Sequence, residues 1–569
     1  MELTVLDLTF FVLFVVFVIA FAMFMSRKEK DSTDYFLAGR GATWPLIGFS
    51  LIAANISTEH FVGMSGQGAG LAGLAIASYE WIAAITLVFV ALYFLPRFLQ
   101  AGIFTIPEYL EYRYNATCRL IMSFFMLIMF VFVTTVSVVY SGGIAVQTFF
   151  GEYLQSQFPD LTEFGTLVWG IWLIGLAAAI YSVFGGLKAV IWADLFQGSA
   201  LIVGGGIVLV FTLRAIGGFA GAMEHEYVQQ RMHVAMPADH PVVPWTILVL
   251  GIWIPNFYYW GLNQFITQRT LAAKTLREGQ LGVIFAAGLK LIIPFIIVMP
   301  GIMAPVLFPD QLPEAANRTS VDEAYPTLIR ELVGPGWRGF ILAALAGAVV
   351  SSLASMLNSA STIFTMDVYR RLYNRQAPQR TLVTLGRVMT VLFLIIACLM
   401  APMLRQERFQ GVFTYIQEFQ GMFTPGILAA FIFGFAVPRA PALAAIVGLV
   451  ACPLVSALMK WPAAWILRGM YEFPTPQTTA GEVLAGLETA PGAFVRFLGV
   501  LYDLAFLNRM AITFVLVLVL MGAITIARPL AQPVTMPVQA DFDMKPSRAV
   551  SVLGLAVIAV TVALYLYFW

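Results

Sequence analysis

Residues 51–68 read LIAANISTEHFVGMSGQG, and that stretch decides the fold. It lies in an apolar run long enough to cross a bilayer, yet it carries Asn55, Ser57, Glu59 and His60. Polar and ionisable side chains at that depth are expensive and mark places where something is bound. Residues 251–268, GIWIPNFYYWGLNQFITQ, have the same character, with Pro255, Asn256 and Gly261 inside an apolar span. Pro255 lacks a backbone donor and disfavours helical geometry at Ile254, so a break is predicted there, with nearby carbonyls freed. Inside lipid, freed groups cost several kcal/mol unless a neighbour, water or ion satisfies them.

The composition places both stretches in a membrane protein. Of 569 residues, 60% are hydrophobic and 11% charged, and the mean hydropathy is +0.85; a soluble domain carries about 25% charge. A net charge of +1, from 32 basic and 31 acidic side chains, leaves no electrostatic footprint for nucleic acid. Cys118, Cys398 and Cys452 are too few and too scattered for a disulfide framework and read as packing. His225, His233 and His240 share one predicted external loop without the spacing of a helical metal motif. The sequence GAGLAG at 68–73 fits a dinucleotide pattern but joins two membrane helices rather than a strand and a helix. No HExxH, GxSxG or paired-cysteine motif occurs, so the chain does not read as an enzyme.

Residues 4–25 form an apolar run of bilayer length, with Glu2 and Asp7 on its N-terminal side and Arg27, Lys28 and Lys30 after it. The positive-inside rule puts the N-terminus outside and retains the segment as a helix. Further spans are predicted at 43–69, 74–97, 118–148, 165–185, 189–213, 243–267, 280–308, 338–366, 382–404, 411–437, 440–459, 506–527 and 549–568, about fourteen helices in all. The loop charges agree with that count. Arg97 and Arg113, then Arg269, Lys274 and Arg277, then Arg370, Arg371, Arg375 and Arg380, fall on the predicted cytoplasmic side, while 151–163 and 310–331 are mainly acidic. Both termini are then outside a multi-pass protein of the plasma membrane.

With the first helix set aside, ten spans divide into two groups of five that enter from opposite faces, the arithmetic of an inverted repeat in a secondary transporter. The predicted division is 1–42 as an extra helix and cytoplasmic loop, 43–213 as the first repeat, 214–242 as an external loop, 243–437 as the second repeat, and 438–569 as three C-terminal helices with an external loop near 460–505; Ala531–Ser547 reads as a linker.

Two further groups bear on a site. In Ala343–Ser361, AALAGAVVSSLASMLNSAS, Ala348, Ser351 and Ser352 share one helix face. Two hydroxyls facing freed carbonyls of Ala53–Ile56 would make an all-oxygen site for a small monovalent cation; close helix packing is the alternative reading. The ionisable groups inside spans are Glu59, His60, Glu80, Asp194, Lys290 and Glu418. Glu80 and Lys290 suit a mutual pair, which a polyol could bridge through charge-assisted hydrogen bonds. Tyr79, Trp81, Tyr258, Tyr259 and Trp260 supply aromatic faces nearby.

Taken together, SLIAANISTEHFVGMSG, IASYEW, VIWADLFQ, NFYYWGLNQFITQRTLAAK, SSLASMLNSASTIFTMD and YIQEFQGMFTPGIL resemble bacterial sodium/galactose symporters of the sodium/solute symporter family. The resemblance runs from about Asp34 to the last helix and weakens in Lys460–Tyr502. It implies an all-α, LeuT-like fold with a 5+5 inverted-repeat core, one helix before and three after, which equals the count above. It implies sodium bound by the carbonyls of Ala53, Ile56 and Ala348 with the hydroxyls of Ser351 and Ser352, and Asp194 in the ion's inward path. Sugar contacts would fall to Asn55, Glu80, Asn256, Lys290 and Gln417, with His60 and Trp260 among the substrate-binding candidates. Tyr259 would be the aromatic gate, and Tyr79 and Tyr140 part of the outer closure. At His60 the chain departs from the bacterial galactose transporters, which have glutamine, and matches animal glucose transporters. The expected function is sodium-coupled hexose import by alternating access, with sodium as cargo and no organic cofactor. Transport of another polar solute such as an inositol, amino acid or sialic acid, proton coupling, and a sensor that does not transport are the alternatives.

Overall fold

The computed structural model describes residues 4–27, 31–57, 59–238, 240, 242–313, 315, 321–405, 412–473, 480–487, 492–539, 542–545 and 547–569. Apart from two isolated bridges, Ala42 with Ala273 and Met236 with Pro244, the regular structure among them is helical. Among the described residues, twelve helical stretches are long and apolar enough to cross a membrane. The two predicted spans that fall short are 43–69 and 243–267, the segments marked as interrupted by their polar residues.

The elements that build the site, in chain order, are α1 (Val5–Ser26), α2 (Trp44–Asn55), α3 (Ser78–Phe89), α4 (Glu163–Ala215), α5 (Trp253–Gly261), α6 (Gln264–Leu271), α7 (Leu276–Leu307), α8 (Trp337–Ile363) and α9 (Val412–Ala436). Behind them lie α10 (Ala442–Met470), α11 (Ala493–Asp503), α12 (Phe506–Ala527) and α13 (Arg548–Tyr567). Helix α7 packs against α2 and α3, α8 lies along α4 and α1, and α9, α10 and α12 pack together.

Both interruptions are present, and one is displaced from its predicted place. Helix α2 stops at Asn55 because Ile56 turns to extended backbone (φ −79°, ψ 116°), and a π-helical stretch follows over Glu59–Met64. In the second segment the break falls at Leu262–Asn263, between α5 and α6, and not at Ile254. Pro255 is the third residue of α5, in the first turn, where a helix has no use for its missing N–H.

Two other boundaries differ from the sequence reading, and one is kept. Spans 165–185 and 189–213 are two helices, here labelled together as α4, that meet at Gly186, whose non-helical φ of 50° and ψ of −154° favour glycine. A Cβ there would lie 2.5 Å from the Tyr35 carbonyl oxygen, so the bend is also a point of close packing. The span predicted at 440–459 continues to Met470, and the loop predicted after it contains α11. The segment read as a linker is docked: Leu530 and Val534 donate to the carbonyls of Arg439 and Pro438 (2.9 and 3.1 Å), Gln539 to that of Gln100 (2.7 Å), and the Asp543 carbonyl accepts from Leu276 (3.0 Å).

Helix α1 is more than an appendage. Its Asp7 is buried and accepts hydrogen bonds from Gly336 N (2.8 Å) and Gly339 N (3.0 Å), capping the start of α8.

Candidate functional site

The break after α2 gathers polar groups from three helices. The Lys290 ammonium, on α7, donates to the Glu80 carboxylate of α3 and to the Asn55 side-chain oxygen. Lys290 and Glu80 are buried, so the pair expected from opposite charge is present and out of water. His60 Nε2 lies 3.5 Å from the other Glu80 oxygen, and Asn55 donates to the Tyr259 hydroxyl at 3.0 Å. Trp260 sets its ring 4.9 Å from the Lys290 nitrogen, with the Tyr259 ring edge-on beside it at 5.1 Å. One carboxylate, one ammonium, one imidazole, one amide and one phenol thus converge at the discontinuity. Such a set both donates to and accepts from adjacent hydroxyls.

The structure does not draw every candidate into this network. Asn256 is buried but donates to the Ile252 carbonyl of its own segment (2.9 Å). Gln417 is half-buried on α9, and Tyr140 is buried on the helix Thr135–Gln157; among the described residues neither hydrogen-bonds to the cluster. Tyr79 is half-buried at the head of α3. The side chain of Glu418 lies outside the described residues.

A second centre sits where α2 meets α8. The Ser352 hydroxyl donates to the Ala54 carbonyl at 2.9 Å, joining the helices across the break. The neighbouring carbonyls of Ala53 and Ile56 accept no hydrogen bond from the described residues, as the extended turn at Ile56 dictates. Of the proposed ion ligands, these two carbonyls and Ser352 therefore lie at one discontinuity, with freed oxygens that suit a hard cation. Ala348 is buried within continuous α8.

Ser351 faces another partner. Its hydroxyl donates to Asp194 Oδ1, while Asp194 Oδ2 accepts from the Ser50 hydroxyl and from Arg269 Nη2 at 3.1 Å. Arg269 also donates to the Ser50 carbonyl (3.1 Å), the Ser50 hydroxyl (2.6 Å) and the Ser355 hydroxyl. The sequence reading puts Arg269 among cytoplasmic loop charges; it is instead fully buried on α6, paired with Asp194. A buried carboxylate requires a counter-charge, and that requirement at Asp194 is the signal available in the sequence. Arg113, also read as a loop charge, is buried and donates to the carbonyls of Gly434 (2.8 Å) and Val437 (2.5 Å) at the end of α9.

The wall behind Glu80 is aromatic. Trp81 is buried, donates to the Leu291 carbonyl (3.4 Å) one residue beyond Lys290, and stacks on Phe568 at 6.0 Å, with Tyr565 edge-on at 5.8 Å. The Phe568 carbonyl accepts from Val234 N (2.8 Å), and His233 Nδ1 lies 2.9 Å from the Trp569 carbonyl. His240 Nδ1 accepts from Val243 N (3.0 Å), so this histidine organises its own loop. No group of three or more metal-ligating His, Cys, Asp or Glu side chains occurs among the described residues. The three cysteines are buried and unbridged.

The model of the sodium:solute symporter family matches residues 35–451. A sodium/glucose cotransporter of Vibrio parahaemolyticus is 42% identical over 485 residues, covering 81% of this chain and 86% of the relative. A sodium/myo-inositol cotransporter 2 of Oryctolagus cuniculus is 33% identical over 476 residues, 78% of this chain and 68% of the relative. Among solved structures, the substrate-bound outward-open state of a Na+-coupled sialic acid symporter superposes with a TM-score of 0.74 at 21% identity, covering 94% of this chain and 100% of the other. That last likeness is one of fold.

Proposed function

Since the chain belongs to the sodium:solute symporter family, we propose that it is a secondary active symporter that imports a galactose- or glucose-type hexose together with sodium by alternating access. The observation that carries this reading is the cluster of buried Lys290 and Glu80 with half-buried His60, Asn55 and Tyr259 beside the break after α2. A ring of adjacent hydroxyls meets donors and acceptors of both charge signs there, and Tyr259 and Trp260 offer faces to its apolar side. Asn256 and Gln417 reach the sugar by side-chain rotation, and Tyr79 and Tyr140 close over it.

Sodium binds the Ala53, Ile56 and Ala348 carbonyls with the Ser351 and Ser352 hydroxyls, bridging α2 and α8. Asp194 is the first acceptor on the ion's way inward, since it already holds the Ser351 hydroxyl. Neutral oxygens at the binding site let the ion leave, as transport requires. The two repeats, 43–213 and 243–437, move against each other around these sites in a bacterial inner membrane, with both termini outside. The driving force is adequate: one inward charge gains about 2.3 kcal/mol per 100 mV and a tenfold gradient adds about 1.4, enough for roughly a 500-fold hexose ratio.

Uptake of radiolabelled hexose into proteoliposomes tests the reading. Uptake is expected to follow an imposed sodium gradient and to collapse in the Ser351→Ala/Ser352→Ala variant. Uptake that ignores the sodium gradient, or survives that variant unchanged, overturns sodium coupling. The likeness to an inositol cotransporter supports a second cargo of the same chemistry, a cyclic polyol, and competition by myo-inositol against hexose decides between them.

A further inference from the structure

The segment after residue 459 lies beyond the family match, which ends at 451, and it has its own small core. Ala463 and Leu467 of α10 pack with Ala480 and Leu498, partly covered by Phe473, Val495 and Tyr502. Asp503 ties the piece together by accepting hydrogen bonds from Ala480 N (2.6 Å) and Gly481 N (2.8 Å). The arrangement is therefore folded, yet it leaves bulky apolar side chains uncovered. On α11, Phe494 is 64%, Phe497 58% and Val500 65% exposed; they share a face at i, i+3 and i+6, beside the face that carries Leu498 inward.

The membrane helices fix where this face sits. From Leu443 to Trp465 the exposed residues of α10, Leu443, Val450, Leu454, Leu458, Trp461 and Trp465, fall, at about 100° per residue, within an arc of about 80°, one continuous stripe. The stripe from 443 to 458 runs along a helix long and apolar enough to cross a membrane, where exposed apolar side chains suit lipid. Measured from Ala442, just after Arg439, Trp461 stands about 29 Å and Trp465 about 35 Å along the helix. A hydrocarbon core is about 30 Å thick, so both indoles reach the headgroup level on the far side, where tryptophan is enriched. The chain re-enters the membrane at Phe506, with only Leu504 and Ala505 between it and the end of α11 at Asp503. Helix α11 cannot stand off from that boundary. Arg496 and Asp503, exposed about 100° and 120° around α11 from the centre of the apolar face, supply its water-facing edge.

We propose that the end of α10 and helix α11 form a membrane-interface anchor, in which Phe494, Phe497 and Val500 of α11, together with Trp461 and Trp465 of α10, insert into the phospholipid headgroup region on the face where α12 begins. The bound surface is lipid, gripped by apolar insertion, since α11 presents no cationic row to anionic headgroups. The anchor would hold the α10–α12 connection at a fixed depth beside the moving core.

The full-length protein in phosphatidylcholine proteoliposomes provides the test. Variants Phe497→Cys, Val500→Cys and Arg496→Cys are labelled with a nitroxide; the native cysteines are buried, and labelled wild-type protein sets the background. The ratio of collision with oxygen to collision with a water-soluble nickel chelate is expected to be several-fold higher at positions 497 and 500 than at 496. Equal ratios overturn the proposal, and so does dipolar broadening between labels on two copies, which would make the cover a second molecule of this chain. A second readout needs no change in α11: brominated-chain phosphatidylcholine is expected to quench wild-type protein more than Trp465→Phe, and equal quenching counts against insertion.

Discussion

Replacing Lys290 by methionine tests the heart of the site, because the change keeps most of the volume and deletes only the charge. In the native protein the ammonium is fully buried against the Glu80 carboxylate, the Asn55 oxygen and the Trp260 face. Without it, Glu80 keeps, among the described residues, a single ion-pair neighbour of possible positive charge, His60 at 3.5 Å. Breaking one partner out of a buried pair costs about 3–5 kcal/mol, whereas removing both charges together is often close to neutral. Lys290→Met is therefore expected to lose about 3–5 kcal/mol, and Lys290→Met combined with Glu80→Gln to recover most of it. Denaturation in detergent micelles, followed by far-UV circular dichroism, measures the cycle, and scintillation binding of labelled hexose measures the site. The double variant should regain stability and remain unable to bind sugar. A double variant as unstable as the single one, or one that binds hexose with wild-type affinity, would refute the reasoning.

Other expectations follow from particular contacts. Arg269→Gln leaves Asp194 without its counter-charge next to Ser351, so sodium should be held more tightly and released more slowly; half-saturating sodium falls and maximal uptake falls with it, and a rise in both would exclude the pairing as described. Gly186→Ala places a Cβ 2.5 Å from the Tyr35 carbonyl oxygen at a φ of 50°, and should lower stability by about 1–3 kcal/mol in the same denaturation assay. Asp7→Ala removes the acceptor for Gly336 N and Gly339 N and should cost about 0.5–2 kcal/mol while leaving sodium dependence intact; a change in half-saturating sodium would show that α1 reaches the site.

Hydropathy is enough to find twelve of the fourteen predicted spans, because a long apolar run is a local property of the chain. The interrupted helices are legible for the same reason, but the position of the second break is not. Pro255 draws attention to the right helix, and only the turn at Leu262–Asn263 shows where the backbone leaves it; nothing about Leu262 in the sequence requires that turn. Glu80 and Lys290 are legible as a pair because each is an isolated charge in an apolar run. Arg269 is not, since Lys274 and Arg277 follow it and the three read as one basic loop. The short helices Ala480–Ala485 and Ala493–Asp503 escape because they are defined by packing on α10 rather than by length or periodicity.

The stacking of Phe568 on Trp81 bears on how this protein should be handled. Trp81 adjoins Glu80 in α3 and holds the carbonyl next to Lys290, so Phe568 buttresses the very charges proposed to hold sugar. A reporter or affinity handle spliced straight onto Trp569 would compete with the contacts to His233 and Val234 and shift that buttress. Loss of sugar binding in such a fusion would then describe the handle and not the protein, and a flexible spacer or attachment elsewhere would avoid the artefact.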